Sequence, residues 1–314
     1  MGQIAPRVVG GHYLLGEAIG RGGMAAVYLA TDERSGQPVA VKILHPHLAE
    51  DAHARQRFAT EVRAARRIDH PNVVHALDDG VDDDRPFLVM ELVRGESLAD
   101  YLEREGRMAA DLALDLMRQA GRGLAAMHAS GVVHRDVKPG NLLLVREGDD
   151  QPWAVKVADF GLARIGARTI TAHGLPMGTT KYMAPEQVMG EEADPRSDLY
   201  GLGMVMFFAL TGELPFTGKT AAQIIAHQVL SPVPPPSWLV DDLDAGVDRI
   251  VVTALRKDPD CRYPTMHAMV HDIERALGMR GGPVRGVELS GEDAYCPTTR
   301  DAEEILEGLR KSLR

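Results

Sequence analysis

Apolar and polar positions alternate from residue 12 onward. Tyr13, Leu15 and Ile19 lead into the run Gly20-Arg21-Gly22-Gly23-Met24-Ala25-Ala26-Val27-Tyr28. A period of two marks a half-buried strand, and glycine is the residue that turns tightly, so this stretch predicts strand, glycine turn, strand. A third strand ends in Val39-Ala40-Val41-Lys42, and a later one runs through Phe87-Leu88-Val89-Met90-Glu91-Leu92, with Asp82-Asp83-Asp84 as a solvated hairpin turn before it. Between them the period lengthens. Phe58, Val62, Ala65 and Ile68 are spaced for one face of a helix over 51–68, with Glu61 beside that face.

Beyond Gly95 and Ser97, read as the end of a connection and a helix cap, the helical period dominates. Leu112, Leu116, Ala120, Leu124 and Met127 predict a core helix over 109–129. Two short strands, 142–145 and 154–157, flank a polar turn at 147–151. The longest apolar run, 199–210, is too short and glycine-interrupted to span a bilayer. Two more helices follow near 247–256 and 265–277, and Gly281-Gly282-Pro283 marks an end. The tail is polar until a helix expected from about residue 300, with Ile305, Leu306, Leu309 and Leu313 as its stripe. Its early acids (Asp301, Glu303, Glu304) and late bases (Arg310, Lys311, Arg314) suit the helix dipole. So short a helix needs a docking partner: this chain, a second copy or another protein.

Composition narrows the choice of function. The 314 residues allow one large domain or two small ones, and the net charge of −10 argues against a dedicated nucleic-acid binder. Residues 1–11 read as a loose arm with no secretory apolar segment. Cys261 and Cys296 have neither metal spacing nor a disulfide framework, which suits a reducing cytoplasm. His45, His47 and His53 read as exposed loop histidines, since no acid or cysteine at ligand spacing joins them. Pro232 and Pro234-Pro235-Pro236 form a stiff connector.

The chemistry concentrates in His134-Arg135-Asp136-Val137-Lys138-Pro139-Gly140-Asn141 and, further on, Asp159-Phe160-Gly161. A phosphoryl group in transfer carries charge on three oxygens, so its catalysis is mostly positioning and charge neutralisation. An Asp to accept a hydroxyl proton, a Lys beside the phosphate, and an Asn and an Asp to hold a hard cation would supply that. In this order the two runs resemble the signature of eukaryotic-type serine/threonine protein kinases, and the glycine turn and Val39-Ala40-Val41-Lys42 extend the resemblance over 12–278. Ala25 stands where the family's third glycine falls. The Gly-Gly-Met turn and Ala184-Pro185-Glu186-Gln187 resemble bacterial members.

The resemblance implies an α+β, bilobal protein-kinase fold. A small antiparallel-sheet lobe with one long helix would occupy 12–91, a hinge 91–95, and a larger, mainly helical lobe 96–278. It implies a catalytic Asp136 assisted by Lys138, with Lys42 paired to Glu61, and Asn141 and Asp159 on Mg²⁺, or Mn²⁺ in its place. ATP would be held by Gly20, Gly22, Val27, Ala40 and Lys42, with Met90 behind the adenine and the backbone of Glu91 to Val93 along its edge. The activation segment would run over 159–186, with Thr169 or Thr171 autophosphorylated, Thr179 bonded to Asp136 and Lys138, and Thr180 as ordinary loop polarity. Asp198 would tie down the catalytic loop, and Arg262 would neutralise Glu186. Expected partners are proteins bearing Ser or Thr, with a homodimer or a docking partner on the tail helix. Two readings compete. A pseudokinase scaffold usually lacks one of Lys42, Asp136, Asn141 and Asp159, and a small-molecule phosphotransferase would have no need of Ala184-Pro185-Glu186 with Arg262.

Overall fold

The computed structural model describes residues 7–146, 148, 151–159 and 180–278, and within these the side chains of Arg57 and Glu61 are outside the description. The chain divides between Arg94 and Gly95 into two compact units.

The first unit is an antiparallel sheet of β1 (Val8–Val9), β2 (Tyr13–Arg21), β3 (Ala25–Asp32), β4 (Pro38–Leu44), β5 (Ala76–Asp82) and β6 (Arg85–Glu91), in the order β1-β2-β3-β4-β6-β5. A short helix, α1 (Pro46–Ala49), and a longer one, α2 (Ala52–Ala65), lie between β4 and β5. Alternation along β4 decides the two faces. Val39, Val41 and Ile43 join Val9, Tyr13, Ala30, Phe87 and Val89 in one apolar cluster. Ala40 and Lys42 therefore project from the opposite face. Phe58, Val62, Ala65 and Ile68 are all buried, as the helical spacing predicts, and Asp51 caps α2 by accepting from the His53 N–H at 2.9 Å. Asp83 and Asp84 turn the β5–β6 hairpin with φ of +47° and +58°, a conformation that short polar side chains tolerate.

One expectation fails here. The arm expected over 1–11 contains a strand: Val8 and Val9 pair with Leu14 and Tyr13, and Val9 is fully buried. Two residues carry no period, so only the partner strand defines them.

The second unit begins at Gly95, where an added Cβ would meet the Leu144 carbonyl oxygen at 1.9 Å, so no other residue fits. Ser97 caps α3 (Leu98–Glu105) in a reciprocal capping box with Asp100. Helix α4 (Ala110–Ala129) buries Leu116, Ala120, Leu124 and Met127 completely, the leucines and the methionine contributing about 1.5–3 kcal/mol each. A small sheet joins β7 (Glu96–Ser97), β8 (Leu142–Val145) and β9 (Ala154–Val157). Then come α5 (Pro185–Val188), α6 (Pro195–Thr211), α7 (Ala221–Leu230), α8 (Ala245–Ala254) and α9 (Met266–Gly278).

Helix α6 is buried nearly all round, the mark of a central core helix. Its glycines let neighbours come close: a Cβ on Gly201 would lie 2.9 Å from Val137 Cβ, and one on Gly203 2.9 Å from Ala254 Cβ. Among the described residues no helix is long and apolar enough to cross a membrane. Cys261 is disulfide-bonded, contrary to the reading of unlinked thiols; Cys296 lies outside the described residues.

Candidate active site

The candidate transfer residues of the 134–141 motif lie in the second unit, on the loop between α4 and β8. Asp136 accepts from Lys138 Nζ at 2.6 Å and from Asn141 Nδ2 at 3.3 Å through one carboxylate oxygen, and Asn141 Nδ2 also donates to the Asp136 carbonyl at 2.8 Å. Three of the five polar residues of the 134–141 motif thus form one cluster. A 3-10 turn, Pro139–Asn141, leads straight into β8 and fixes Asn141, which is buried. The Ala158 N–H donates to the Asn141 carbonyl at 2.8 Å, and the Ala158 carbonyl lies 3.0 Å from His134 Nε2. Ala158 is held at both ends, and Asp159 follows it at once. Asp159 sits exposed at φ +57°.

His134 is a structural hinge for this loop. A carbonyl can only accept, so Nε2 carries the proton toward Ala158, and Nδ1 accepts the Asp136 N–H at 3.2 Å. Asp198 on α6 anchors the loop from below. Its carboxylate accepts the Arg135 N–H at 2.7 Å, the His134 N–H at 2.8 Å and His128 Nε2 at 2.7 Å. Arg135 itself is left-handed, at φ +66°, a conformation costing about 1–2 kcal/mol for a residue with a Cβ. Gln187 Nε2 holds its carbonyl at 2.9 Å while Gln187 Oε1 accepts the Ala184 N–H at 3.1 Å. Among the described residues Arg135 Nε is buried with no hydrogen-bond partner, and its Nη2 reaches the Ala193 carbonyl at 3.5 Å.

Glu186 and Arg262 form a buried, two-pronged pair at 2.8 and 2.7 Å, with Ser197 Oγ donating to Glu186 Oε1 at 2.6 Å. Arg262 donates further to the carbonyls of Arg256, Arg196 and Lys257 and lies over the Tyr200 ring. Thr180 is no ordinary loop residue: it is buried, and Gln228 Nε2 donates to its carbonyl at 2.9 Å and to that of Lys181 at 2.8 Å.

The first unit carries the nucleotide candidates. Strand register pairs Val27 with Lys42, Lys42 with Leu88, and Ala40 with Met90. Directly opposed residues share a face, so Val27, Ala40, Lys42 and Met90 all line the side away from the Val41 cluster. The glycine turn joins β2 to β3, with Gly20 opposite Val27 and the Gly22 N–H donating to the Ala25 carbonyl at 2.9 Å. Gly23 has no positive φ, and an added Cβ there would meet nothing within 4 Å, so intrachain packing does not require its glycine. Glu91 ends β6, and Val93 lies just beyond it.

Thr169, Thr171 and Thr179 lie outside the described residues, as do Phe160, Gly161 and the Glu61 side chain. No group of three or more His, Cys, Asp or Glu side chains able to hold a metal occurs among the described residues. His45 is not a free loop histidine, because its ring lies 2.8 Å from the Gly22 carbonyl. Sequence reasoning assigned no bracing role to His45, His128, Gln187, Ser197 or Gln228. Each acts through a backbone carbonyl or through another residue's carboxylate, and no spacing rule encodes such contacts.

An α+β chain with a glycine-turned sheet, a lysine on its third long strand and an Asp-Lys-Asn loop braced by a central helix has the architecture of the protein-kinase class. The protein kinase domain family matches residues 13–273, and the chain belongs to it. It is 41% identical over 307 residues to the serine/threonine-protein kinase PknA of Corynebacterium glutamicum, across 95% of this chain and 63% of that one. It is 41% identical over 270 residues to Pkn1 of Myxococcus xanthus, across 85% of this chain and 38% of Pkn1. The chain thus spans less than two thirds of either relative. The crystal structure of the Mycobacterium tuberculosis PknI kinase domain has the same fold, with a TM-score of 0.67 at 24% identity over 88% of this chain and 100% of that one.

Proposed function

We propose that the chain is an active protein kinase that moves the γ-phosphoryl group of ATP to Ser and Thr hydroxyls of protein substrates. The observation that carries this reading is the Asp136–Lys138–Asn141 cluster, with Asp159 brought to it through Ala158. Asp136 accepts the proton of the attacking hydroxyl, and Lys138 places a positive charge beside the transferring group. Family membership implies a divalent metal, and magnesium suits the donor set. Asn141 spends Nδ2 on Asp136, which leaves Oδ1 as a ligand, and Asp159 supplies carboxylate oxygens. When bound, the ion would offset charge on the phosphate oxygens; manganese has the same ligand preference. Lys42 would hold the α- and β-phosphates and pair with Glu61, beside Gly20, Gly22, Val27 and Ala40. Met90 and the backbone of Glu91 to Val93 would receive the adenine.

Phosphorylation of Thr169 or Thr171 by the kinase itself would switch it on. The buried Arg135 Nε, unpartnered among the described residues, supports this, because a buried guanidinium needs an anion and a phosphothreonine provides one. Retention of Lys42, Asp136, Asn141 and Asp159 disfavours a pseudokinase. Cytoplasmic ATP makes that compartment the working site, and the helix expected from about residue 300, outside the described residues, is the proposed surface for a second copy or a docking partner.

The test is incubation of the purified chain with labelled ATP and magnesium, then mapping of every phosphorylated residue on the chain and on proteins of a lysate. Turnover on the order of 1–100 s⁻¹ is expected once activated. No transfer with either magnesium or manganese would end the kinase reading. An active sample modified at neither Thr169 nor Thr171 would end the activation reading alone.

A further inference from the structure

We infer that His45 is a positioning residue for the glycine turn, holding it so that an amide at its tip faces outward to receive nucleotide phosphate; the phosphate half of this rests on the kinase reading above. Two hydrogen bonds from one residue reach the turn. The His45 N–H donates to the Met24 carbonyl at 2.8 Å, and His45 Nε2 lies 2.8 Å from the Gly22 carbonyl. Because a carbonyl only accepts, Nε2 carries the proton in that contact.

The consequence follows from peptide geometry. In a planar trans peptide the C=O of one residue and the N–H of the next point in opposite directions. Drawing the Gly22 carbonyl down to the imidazole therefore turns the Gly23 N–H away from it. Neither Gly23 nor Met24 donates its N–H to an acceptor among the described residues. Open space surrounds Gly23, where a Cβ would touch nothing. Outward amides over open space are the makings of an anion-binding nest.

The post that carries the imidazole is stiff. Leu44, just before it, is fully buried, and its carbonyl accepts from Arg85 Nε at 3.0 Å on the neighbouring strand. Pro46, just after it, restricts His45 to extended backbone, and φ −62° with ψ 144° is what is found. His47 stacks on the ring at 5.5 Å between centroids and 18° between planes. A lone loop histidine would need none of this.

The test compares His45→Phe, which keeps a ring for the stack but has no donor, with His45→Gln, whose amide can restore an N–H near the Nε2 position. Both are made in the full chain and checked for an unchanged melting temperature. Without nucleotide, tryptic cleavage after the exposed Arg21 should be severalfold faster in His45→Phe and close to wild type in His45→Gln. KM for ATP should rise roughly fivefold in His45→Phe, the loss of one net hydrogen bond, with kcat within about twofold and recovery in His45→Gln. Unchanged cleavage in His45→Phe overturns the tether. Faster cleavage with unchanged KM overturns its role toward nucleotide. If the wild type turns over no ATP, the kinase reading falls, while the cleavage comparison still decides whether His45 holds the turn.

Discussion

Replacing Asp198 by Asn exchanges one oxygen for an NH₂ and leaves size and shape nearly unchanged. The carboxylate accepts three N–H groups, from Arg135, His134 and His128, at 2.7–2.8 Å in a buried site. An amide has one oxygen. If that oxygen takes the place facing His128 and His134, the NH₂ meets the Arg135 N–H, donor against donor. An unsatisfied buried N–H costs about 1–3 kcal/mol. The two remaining bonds fall from charge-assisted to neutral strength, about 1 kcal/mol each. The total is about 3–5 kcal/mol, and at roughly 2–4 °C per kcal/mol the melting temperature should fall by roughly 6–20 °C.

The same lost bond frees Arg135 from its strained left-handed conformation, so the peptide carrying Asp136 can relax. A misplacement near 1 Å costs on the order of 10²-fold in rate. Thermal melting followed by circular dichroism, and kcat with ATP, magnesium and a generic protein substrate, measure the two effects. A variant melting within 2 °C of wild type (roughly a 1 kcal/mol effect or less) with its kcat within about twofold would refute the claim that Asp198 braces the catalytic loop.

Other substitutions isolate other links. Arg262→Met should strand the buried Glu186 carboxylate and cost about 3–5 kcal/mol, read as an earlier urea midpoint, and the double variant Arg262→Met with Glu186→Gln should recover part of it. Lys257 has a buried Nζ with no hydrogen-bond partner among the described residues, 3.7 Å from the Phe216 ring centroid, and burial, with Arg262 adding to it, pushes its pKa down to about 6. The unfolded chain then binds more protons than the folded one between about pH 6 and 10.5, so this group makes stability rise with pH across that window. Lys257→Met should therefore be more stable than wild type at pH 7, with the gap narrowing toward pH 10; equal stability at both would show that the ammonium is well accommodated. Asp159→Asn suits the left-handed backbone at φ +57°, so it should fold normally while losing transfer by at least about 10²-fold, read from phosphate incorporation. Lys42→Met should melt near wild type yet cut kcat sharply, and full activity would remove Lys42 from the reaction.

Local pattern was enough wherever one period controlled the outcome. The helix expected over 109–129 is α4, Ala110–Ala129, and the strands expected at 142–145 and 154–157 are β8 and β9. Spacing of apolar side chains sets such elements, and burial of a single face rewards them whatever lies beyond. The order of Lys42, Asp136, Asn141 and Asp159 along the chain likewise carried the chemical class. The two-residue strand β1 escaped because its existence depends on β2, residues away from it in sequence, and Val9 reads as arm until that partner is in place. Thr180 reads as loop polarity from its neighbours alone, and its burial depends on Gln228, distant in sequence, which donates to its carbonyl.

What the amino-acid order determined by itself is most of the elements and the family to which the chain belongs, because periodicity and residue type are local properties. Only the tertiary structure decided which groups brace them: His128 and the loop amides on Asp198, Gln187 on Arg135, and His45 on the Gly22 carbonyl. Those contacts form between backbone atoms that every residue possesses and side chains distant in sequence. Their partners are chosen by how the chain packs, and no residue type announces them.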